Sequence, residues 1–123
     1  MFEYTVVIRT LGKGGEFYQK TLNSLISQTI LPKDIIIYIA EGYPLPKETV
    51  GIEKYVYVKK GMVAQRALPY NEVKTDYMLF LDDDVYLPPA GVETLYRQLS
   101  ENKGDVISPY VFYNHEKPIK DKP

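Results

Sequence analysis

The sequence lacks several residues that carry chemistry in other proteins. Its 123 residues include no cysteine, no tryptophan and a single histidine, His115. The absence of cysteine excludes disulfides, thiolate metal sites and a cysteine nucleophile. One histidine near the C-terminus does not support a Ser-His-Asp triad. Any catalytic or binding chemistry must therefore come from other side chains.

The chain also lacks an excess of charge and a long apolar run. Fifteen Lys and Arg residues stand against sixteen Asp and Glu residues, which gives a net charge of -1. A general nucleic-acid binder would show an excess of basic residues, so no nucleic-acid partner is expected. The apolar run near the N-terminus is too short for a signal peptide or a spanning helix. We expect a soluble, cytoplasmic protein.

The length and the apolar pattern predict one α/β domain. Short apolar runs predict strands at 4–9, 34–40, 54–58, 76–81 and 105–113, and apolar residues at helical spacing predict helices at 16–29, 61–75 and 90–101. Pro69 is expected to bend or split the second helix, and Pro109 to interrupt the last strand. The sheet is expected to be mostly parallel, with residues 1–113 in the domain and 114–123 as a polar, mobile tail.

The most informative segment is YMLFLDDDVYLPP, residues 77–89, in which three aspartates directly follow a buried strand. In an extended backbone, Asp82 and Asp84 would point to one side and Asp83 to the other. Repulsion between neighbouring carboxylates favours a divalent cation, and all-oxygen ligation suits Mg²⁺ or Mn²⁺. Mg²⁺ often completes its shell with substrate phosphates, so a diphosphate-bearing substrate is implied. The alternative is that the acids only form a turn.

The acidic run is expected to lie where ligands bind in folds of this kind. Open α/β sheets bind ligands beyond the carboxyl ends of their strands. Three loops should meet there, with sequences LGKGG, EGYPLP and DDDVYLPP. LGKGG lacks the ending and spacing of a phosphate-binding P-loop and is predicted to be a plain glycine-rich turn.

Five segments together resemble a known enzyme family. TVVIRT, SLISQTILP, DIIIYIAEG, KKGMVAQRA and DYMLFLDDDVYLPP resemble, in order and spacing, the N-terminal half of the family 2 inverting glycosyltransferases, which have the GT-A (Rossmann-like) fold. The likeness extends to about residue 110. It implies a nucleoside-diphosphate sugar as donor, an Asp-x-Asp motif and Mg²⁺ or Mn²⁺ as cofactor.

The resemblance implies roles for individual residues. Thr10 corresponds to the position that borders the nucleotide base. Arg66 corresponds to an arginine that faces the donor phosphate or nucleoside. Asp82 and Asp83 correspond to acids near the ribose and sugar, and Asp84 to the acid that holds the metal, with Asp82 as a second metal ligand.

The chain also departs from the family pattern. Arg9 stands where the family usually has proline, and Ala67 where it has asparagine. Glu41 can replace the aspartate that usually contacts the uracil or ribose if its loop shifts. An inverting transfer needs a general base, which in the family lies well after the Asp-x-Asp motif. Glu116 and Asp121 lack that helical context, so the general base is expected to be absent from this chain.

These observations predict the donor-binding part of a longer glycosyltransferase, with an unknown saccharide or lipid-linked acceptor. The first alternative is a non-catalytic ligand-binding or interaction domain with the same fold. The second is a phosphoryl-transfer enzyme with an aspartate nucleophile, although that class has its acidic motif after the first strand. Apolar surface left uncovered by a missing part would favour a homo-oligomer.

Overall fold

The computed structural model of the chain describes residues 2–65, 67–102, 106–107 and 110–114. Six strands are present in this part of the chain: β1 (Tyr4–Thr10), β2 (Asp34–Ala40), β3 (Lys54–Val58), β4 (Tyr77–Asp82), β5 (Val106–Ile107) and β6 (Tyr110–Asn114). Three helices accompany them: α1 (Glu16–Ile26), α2 (Lys60–Ala64) and α3 (Gly91–Asn102). The predicted tail at 114–123 lies outside the described residues except for Asn114, which ends β6.

The strands form one sheet in the order β3-β2-β1-β4-β6-β5. The first four run parallel, whereas β6 is antiparallel to both β4 and β5. β1, β2 and β4 lie in the interior of the sheet and are apolar on both faces, as central parallel strands usually are. The predicted mostly parallel α/β sheet is confirmed. The last strand, predicted at 105–113 with an interruption at Pro109, consists of two short strands, β5 and β6, that pair with each other.

The core has two layers, one on each face of the sheet. Val6 and Ile8 of β1 pack on one face together with buried residues of α1 and α3. Val7 points to the opposite face, where it joins Tyr38 and Phe80 under the segment that follows β3. Neighbouring residues of β1 thus serve opposite layers, as the pleat of a strand requires. Burial on both faces explains why the central strands read as continuous apolar runs.

The first helix ends three residues earlier than predicted, at Ile26 instead of about Thr29. Gln28 lies outside the helix, and its side chain is buried. Its amide group donates to the carbonyl of Pro88 at 2.8 Å, and its oxygen accepts the N–H of Val92 at 2.9 Å. The second bond satisfies an N–H in the first turn of α3, which has no partner within its own helix. Gln28 therefore joins the end of α1 to the start of α3.

The helix predicted at 61–75 is mostly wrong, since α2 covers only Lys60–Ala64. Pro69 cannot donate a helical hydrogen bond, and Tyr70 adopts a positive φ of 57°. The carbonyls of Val63 and Ala64 accept hydrogen bonds from a side chain of β1 instead of from a following helical turn. This exchange ends the helix beside the carboxyl edge of the sheet. No helix in the described part of the chain is long and apolar enough to cross a membrane.

Candidate functional site

An open cleft with a volume of about 330 Å³ lies at the carboxyl ends of β1 and β4. Its walls come from β1 and the loop after it, from α2, and from the acidic run after β4. The lining residues are Arg9, Thr10, Leu11, Lys13, Val63, Ala64, Asp82, Asp83 and Asp84. The position agrees with the rule that open α/β sheets bind ligands at this edge, and the volume is at the lower end for ligand sites, which span about 300–1,000 Å³.

All three aspartates of the acidic run line this cleft. β4 ends at Asp82, and Asp83 and Asp84 form a turn in which the N–H of Val85 donates to the carbonyl of Asp82 at 3.3 Å. The predicted alternation, with Asp83 on the far side, is therefore wrong. It assumed an extended backbone beyond Asp82, and the turn brings Asp83 into the same cleft.

Asp82 is paired with an arginine that sequence analysis noted only as a departure. The Nε of Arg9 lies 3.1 Å from Oδ1 of Asp82. Arg9 and Asp82 are direct partners in the parallel register of β1 and β4, so the sheet itself places them side by side. Nη1 of Arg9 also donates to the carbonyls of Val63 at 2.8 Å and Ala64 at 3.2 Å. One guanidinium thus joins β1, β4 and α2.

Asp83 is held from the opposite wall by Thr10. The Thr10 hydroxyl donates to Oδ2 of Asp83 at 2.7 Å and accepts the N–H of Gly12 at 3.0 Å. Burial raises the pKa of the Asp83 carboxyl above its ordinary value, the Thr10 bond lowers it, and the charges of Asp84 and Asp82 raise it further. The surroundings of Asp83 therefore disfavour its ionised form, which a nearby positive charge would stabilise.

The other two residues with predicted roles do not join this group. Glu41 follows β2, is exposed and is not among the residues that line the cleft; its N–H donates to the carbonyl of Val58 at 2.7 Å. Arg66 lies outside the described residues. The structure thus brings together Thr10 and the three aspartates, and it places Glu41 apart from them.

Lys13 is a lining residue that sequence analysis did not consider. It is exposed and belongs to the glycine-rich loop after β1. Gly12 beside it has a φ of +89°, and a Cβ at that position would lie 2.9 Å from the Cβ of Tyr43. A larger residue at position 12 would therefore be strained and crowded. The one available signal for Lys13 was a cation between glycines after the first strand.

The donor set of the cleft suits a hard cation that takes few protein ligands. Within the described residues, no three or more Asp, Glu or His side chains form a group that could hold a metal ion. Mg²⁺ differs from zinc in commonly using only one or two carboxylates together with water and phosphate oxygens. Asp84 is exposed. Burial and the neighbouring carboxylates raise the pKa of Asp83, so a bound cation would stabilise its ionised form. These two carboxylates could hold such an ion.

The described residues form an α/β fold with an acidic cleft at the carboxyl edge of its sheet, and comparisons with known proteins identify the family. The family model described as "Glycosyl transferase family 64 domain" matches residues 4–115. The chain belongs to this family. The predicted glycosyltransferase is confirmed at this level. The matching family model is that of family 64, and the specific resemblance to family 2 is not confirmed. Among curated proteins, no sequence matches the chain.

Solved structures of TarS from S. aureus have the same fold. One superposes with a TM-score of 0.59 at 17% identity, over 85% of this chain and 21% of TarS. The structure of TarS 1-349 gives 0.58 at 14% identity, over 85% of this chain and 34% of the other. TarS 1-349 in complex with UDP gives 0.56 at 15% identity with the same two coverages. This chain therefore spans between about a fifth and a third of these structures.

Proposed function

We propose that this chain is the donor-binding part of a glycosyltransferase and binds a nucleoside-diphosphate sugar in the cleft beyond β1 and β4. The observation that carries the proposal is the meeting of Thr10 and three aspartates at that edge. Membership in a glycosyltransferase family and a fold shared with a UDP-bound structure support it. The acceptor of the whole enzyme is proposed to be a saccharide or a lipid-linked molecule.

The proposed cofactor is Mg²⁺ or Mn²⁺, with Asp84 as its main protein ligand. The resemblance implied Asp82 as the second ligand, but the Asp82 carboxylate is already an ion-pair partner of Arg9. In the described part of the chain, Asp83 accepts a hydrogen bond from Thr10 and has no cationic partner, and burial and the neighbouring carboxylates disfavour its charge. We therefore assign the second position to Asp83. When bound, the ion would neutralise negative charge on the departing nucleoside diphosphate.

Three other residues of the cleft have separate proposed roles. Thr10 orients Asp83 through its 2.7 Å bond, and Arg9 fixes Asp82 and the wall formed by Val63 and Ala64. Lys13 is an exposed positive charge at the cleft and would approach the diphosphate oxygens. The inverting course suggested by the family 2 resemblance stays a prediction. Proton NMR of the anomeric centre of the product would measure it.

Calorimetric titration of the chain with UDP and with GDP, each with and without Mn²⁺, tests the proposal. We expect metal-dependent binding of one of them. Asp84→Asn should weaken it by at least about tenfold, because loss of a metal ligand costs at least as much as loss of a residue that supports one. Asp76→Asn is the matched control, since Asp76 is an exposed aspartate just before β4, at the other end of that strand.

Two results would contradict the proposal. Equal loss of binding in the Asp84 and Asp76 variants would show that the effect is not local to the cleft. Absence of UDP and GDP binding at millimolar concentration would favour the alternative of a ligand-binding or interaction domain without this donor. Parallel titrations of Asp82→Asn and Asp83→Asn identify the second metal ligand, and we expect the larger loss for Asp83.

A further inference from the structure

Two half-exposed aromatic rings lie beside the acidic run, outside the residues that line the cleft. Phe17 in the first turn of α1 is 56% exposed, and Tyr86, two residues beyond Asp84, is 48% exposed. The Nζ of Lys20 lies 5.3 Å from the Phe17 ring centroid and 5.8 Å from that of Tyr86. Since both rings lie near one ammonium group, they belong to one surface patch. We call Phe17, Lys20 and Tyr86 the aromatic platform.

The platform is joined to the acidic run through α1. The Thr21 hydroxyl lies 3.0 Å from the carbonyl of Phe17 and 3.4 Å from that of Asp83, so it connects the first turn of α1 to the turn that carries the aspartates. Consecutive Cα atoms are about 3.8 Å apart, so the Cα atoms of Tyr86 and Asp84 are separated by no more than about 8 Å. A single sugar ring can span most of that distance. The backbone that carries Tyr86 is therefore close to the aspartates that line the cleft.

The chemistry of the platform fits a sugar better than a second anion. One face of a pyranose ring presents C–H groups, which pack on the electron-rich face of an aromatic ring. Its hydroxyls then accept hydrogen bonds from an ammonium group such as that of Lys20. Glu16 lies 3.4 Å from Lys20 Nζ and offsets its charge, which disfavours recruitment of a diphosphate to this patch. Two aromatic rings with the Lys20 ammonium group close to both therefore suit a neutral carbohydrate.

We propose that Phe17, Lys20 and Tyr86 bind a sugar ring of the acceptor by stacking and hydrogen bonding. The inference rests on the proposed function, because an acceptor site has a role only if the cleft holds a donor. The donor would occupy the cleft walled by Thr10 and the aspartates, and the platform is joined to the same acidic turn through Thr21 and through Tyr86. The acceptor hydroxyl would then approach the donor sugar from the side of Tyr86.

Saturation-transfer NMR with short oligosaccharides of glucose, galactose, mannose and N-acetylglucosamine tests the platform. We expect at least one of them to receive saturation at its ring C–H protons. Phe17→Ala and Tyr86→Ala should each weaken that binding by about tenfold, the effect of losing a favourable aromatic contact. Tyr86→Phe keeps the ring and should retain binding. Leu31→Ala is the control, because Leu31 is 62% exposed and lies before β2 at the opposite edge of the sheet.

The outcomes separate this inference from the proposed function. UDP titration with Mn²⁺ on the same variants should give unchanged affinity. Donor binding without saturation of any of these oligosaccharides, or with undiminished saturation in a Phe17→Ala/Tyr86→Ala double variant, overturns the platform alone. If the unmodified chain binds neither UDP nor GDP, the proposed function is overturned. Light scattering that shows an oligomer dissociated by the double variant would make the patch a self-association surface and would also overturn the sugar site.

Discussion

The polar side chains at the two ends of the parallel strands differ in whether they are satisfied within the fold. At the amino edge, the hydroxyls of Thr5 and Thr75 lie 2.7 Å apart, and Thr75 donates to the carbonyl of Tyr77 at 2.7 Å. Both threonines are buried, and each has its partner within the fold. Buried polar groups that satisfy one another stabilise a structure without attracting a ligand. The amino edge therefore serves the fold.

The carboxyl edge gathers charges that do not balance among themselves. Three carboxylates line the cleft together with Arg9 and Lys13, and Arg9 is engaged by Asp82 and two backbone carbonyls. Burial raises the pKa of Asp83, and the negative charges of Asp84 and Asp82 raise it further. Such an arrangement is more typical of a functional site than of a structural network. Substitutions at the carboxyl edge should therefore change ligand binding, whether or not they also change stability, whereas those at the amino edge should change stability alone.

Substitution of Arg9 is expected to have the largest effect on stability. Arg9→Met should lower the free energy of unfolding by about 1.5–3 kcal/mol, because it removes charge-assisted hydrogen bonds from three elements. The Asp82 side chain is 38% exposed, so the ion pair itself should contribute less than about 1 kcal/mol. The bonds to Val63 and Ala64 carry the rest. Urea unfolding monitored by circular dichroism measures the loss.

Lysine at the same position is the matched comparison for the arginine. Arg9→Lys keeps the charge but loses the planar fork that reaches Asp82 and the α2 carbonyls together. We expect it to restore less than half of the stability lost in Arg9→Met. Full restoration would mean that charge alone matters, which would contradict the assignment of the main effect to the backbone carbonyls.

At the amino edge, Thr75→Val should destabilise the chain by about 1–2 kcal/mol, because it leaves the buried Thr5 hydroxyl without its side-chain partner. Affinity for UDP and Mn²⁺ should stay unchanged. Thr94→Val, at an exposed position of α3, is the control and should shift stability by less than about 0.5 kcal/mol. A loss of UDP affinity in the folded Thr75 variant would erase the distinction between the two edges.

The sequence predicts the elements whose boundaries depend on local pattern. The observed bounds of β1, β2 and β4 lie within one residue of the predicted ones, because strands buried on both faces are continuous apolar runs. The predicted ends of α1 and α2 were wrong because long-range contacts determine where these helices end. Gln28 lies beyond the end of α1 and accepts a hydrogen bond from the start of α3. Arg9 donates hydrogen bonds to the carbonyls at the end of α2. Neither partner is visible in a local window.

In the candidate site, too, the features set by local sequence were predictable and those set by tertiary structure were not. The position of the acidic run at a strand's carboxyl end was predictable, because a buried strand precedes it and parallel strands end at a common edge. The orientation of Asp83 was not, since a turn after Asp82 replaces the extended backbone. The Arg9–Asp82 pair depends on the register between β1 and β4, which a sequence without a known strand order does not specify.

The smallest expected effect is a pH dependence of stability that comes from Asp83. Because its pKa is raised on folding, the folded chain binds this proton more tightly than the unfolded chain. The resulting stabilisation is fully present below the ordinary value of 3.8 and is lost as the pH rises through the folded pKa. Asp83→Asn removes this term, so the variant should gain stability relative to the unmodified chain between pH 3.8 and neutrality.

Urea unfolding of both proteins across that pH range measures the difference, and Asp76→Asn, which alters an exposed acid at the amino edge, should show none. Asparagine retains an oxygen that can accept the Thr10 hydrogen bond, so the comparison isolates the charge. Mn²⁺ should reduce the advantage of the Asp83 variant, because a bound cation stabilises the carboxylate that burial disfavours. A stability difference that does not change with pH would mean that water or another cation already compensates Asp83, and the carboxyl edge would then be as balanced as the amino edge.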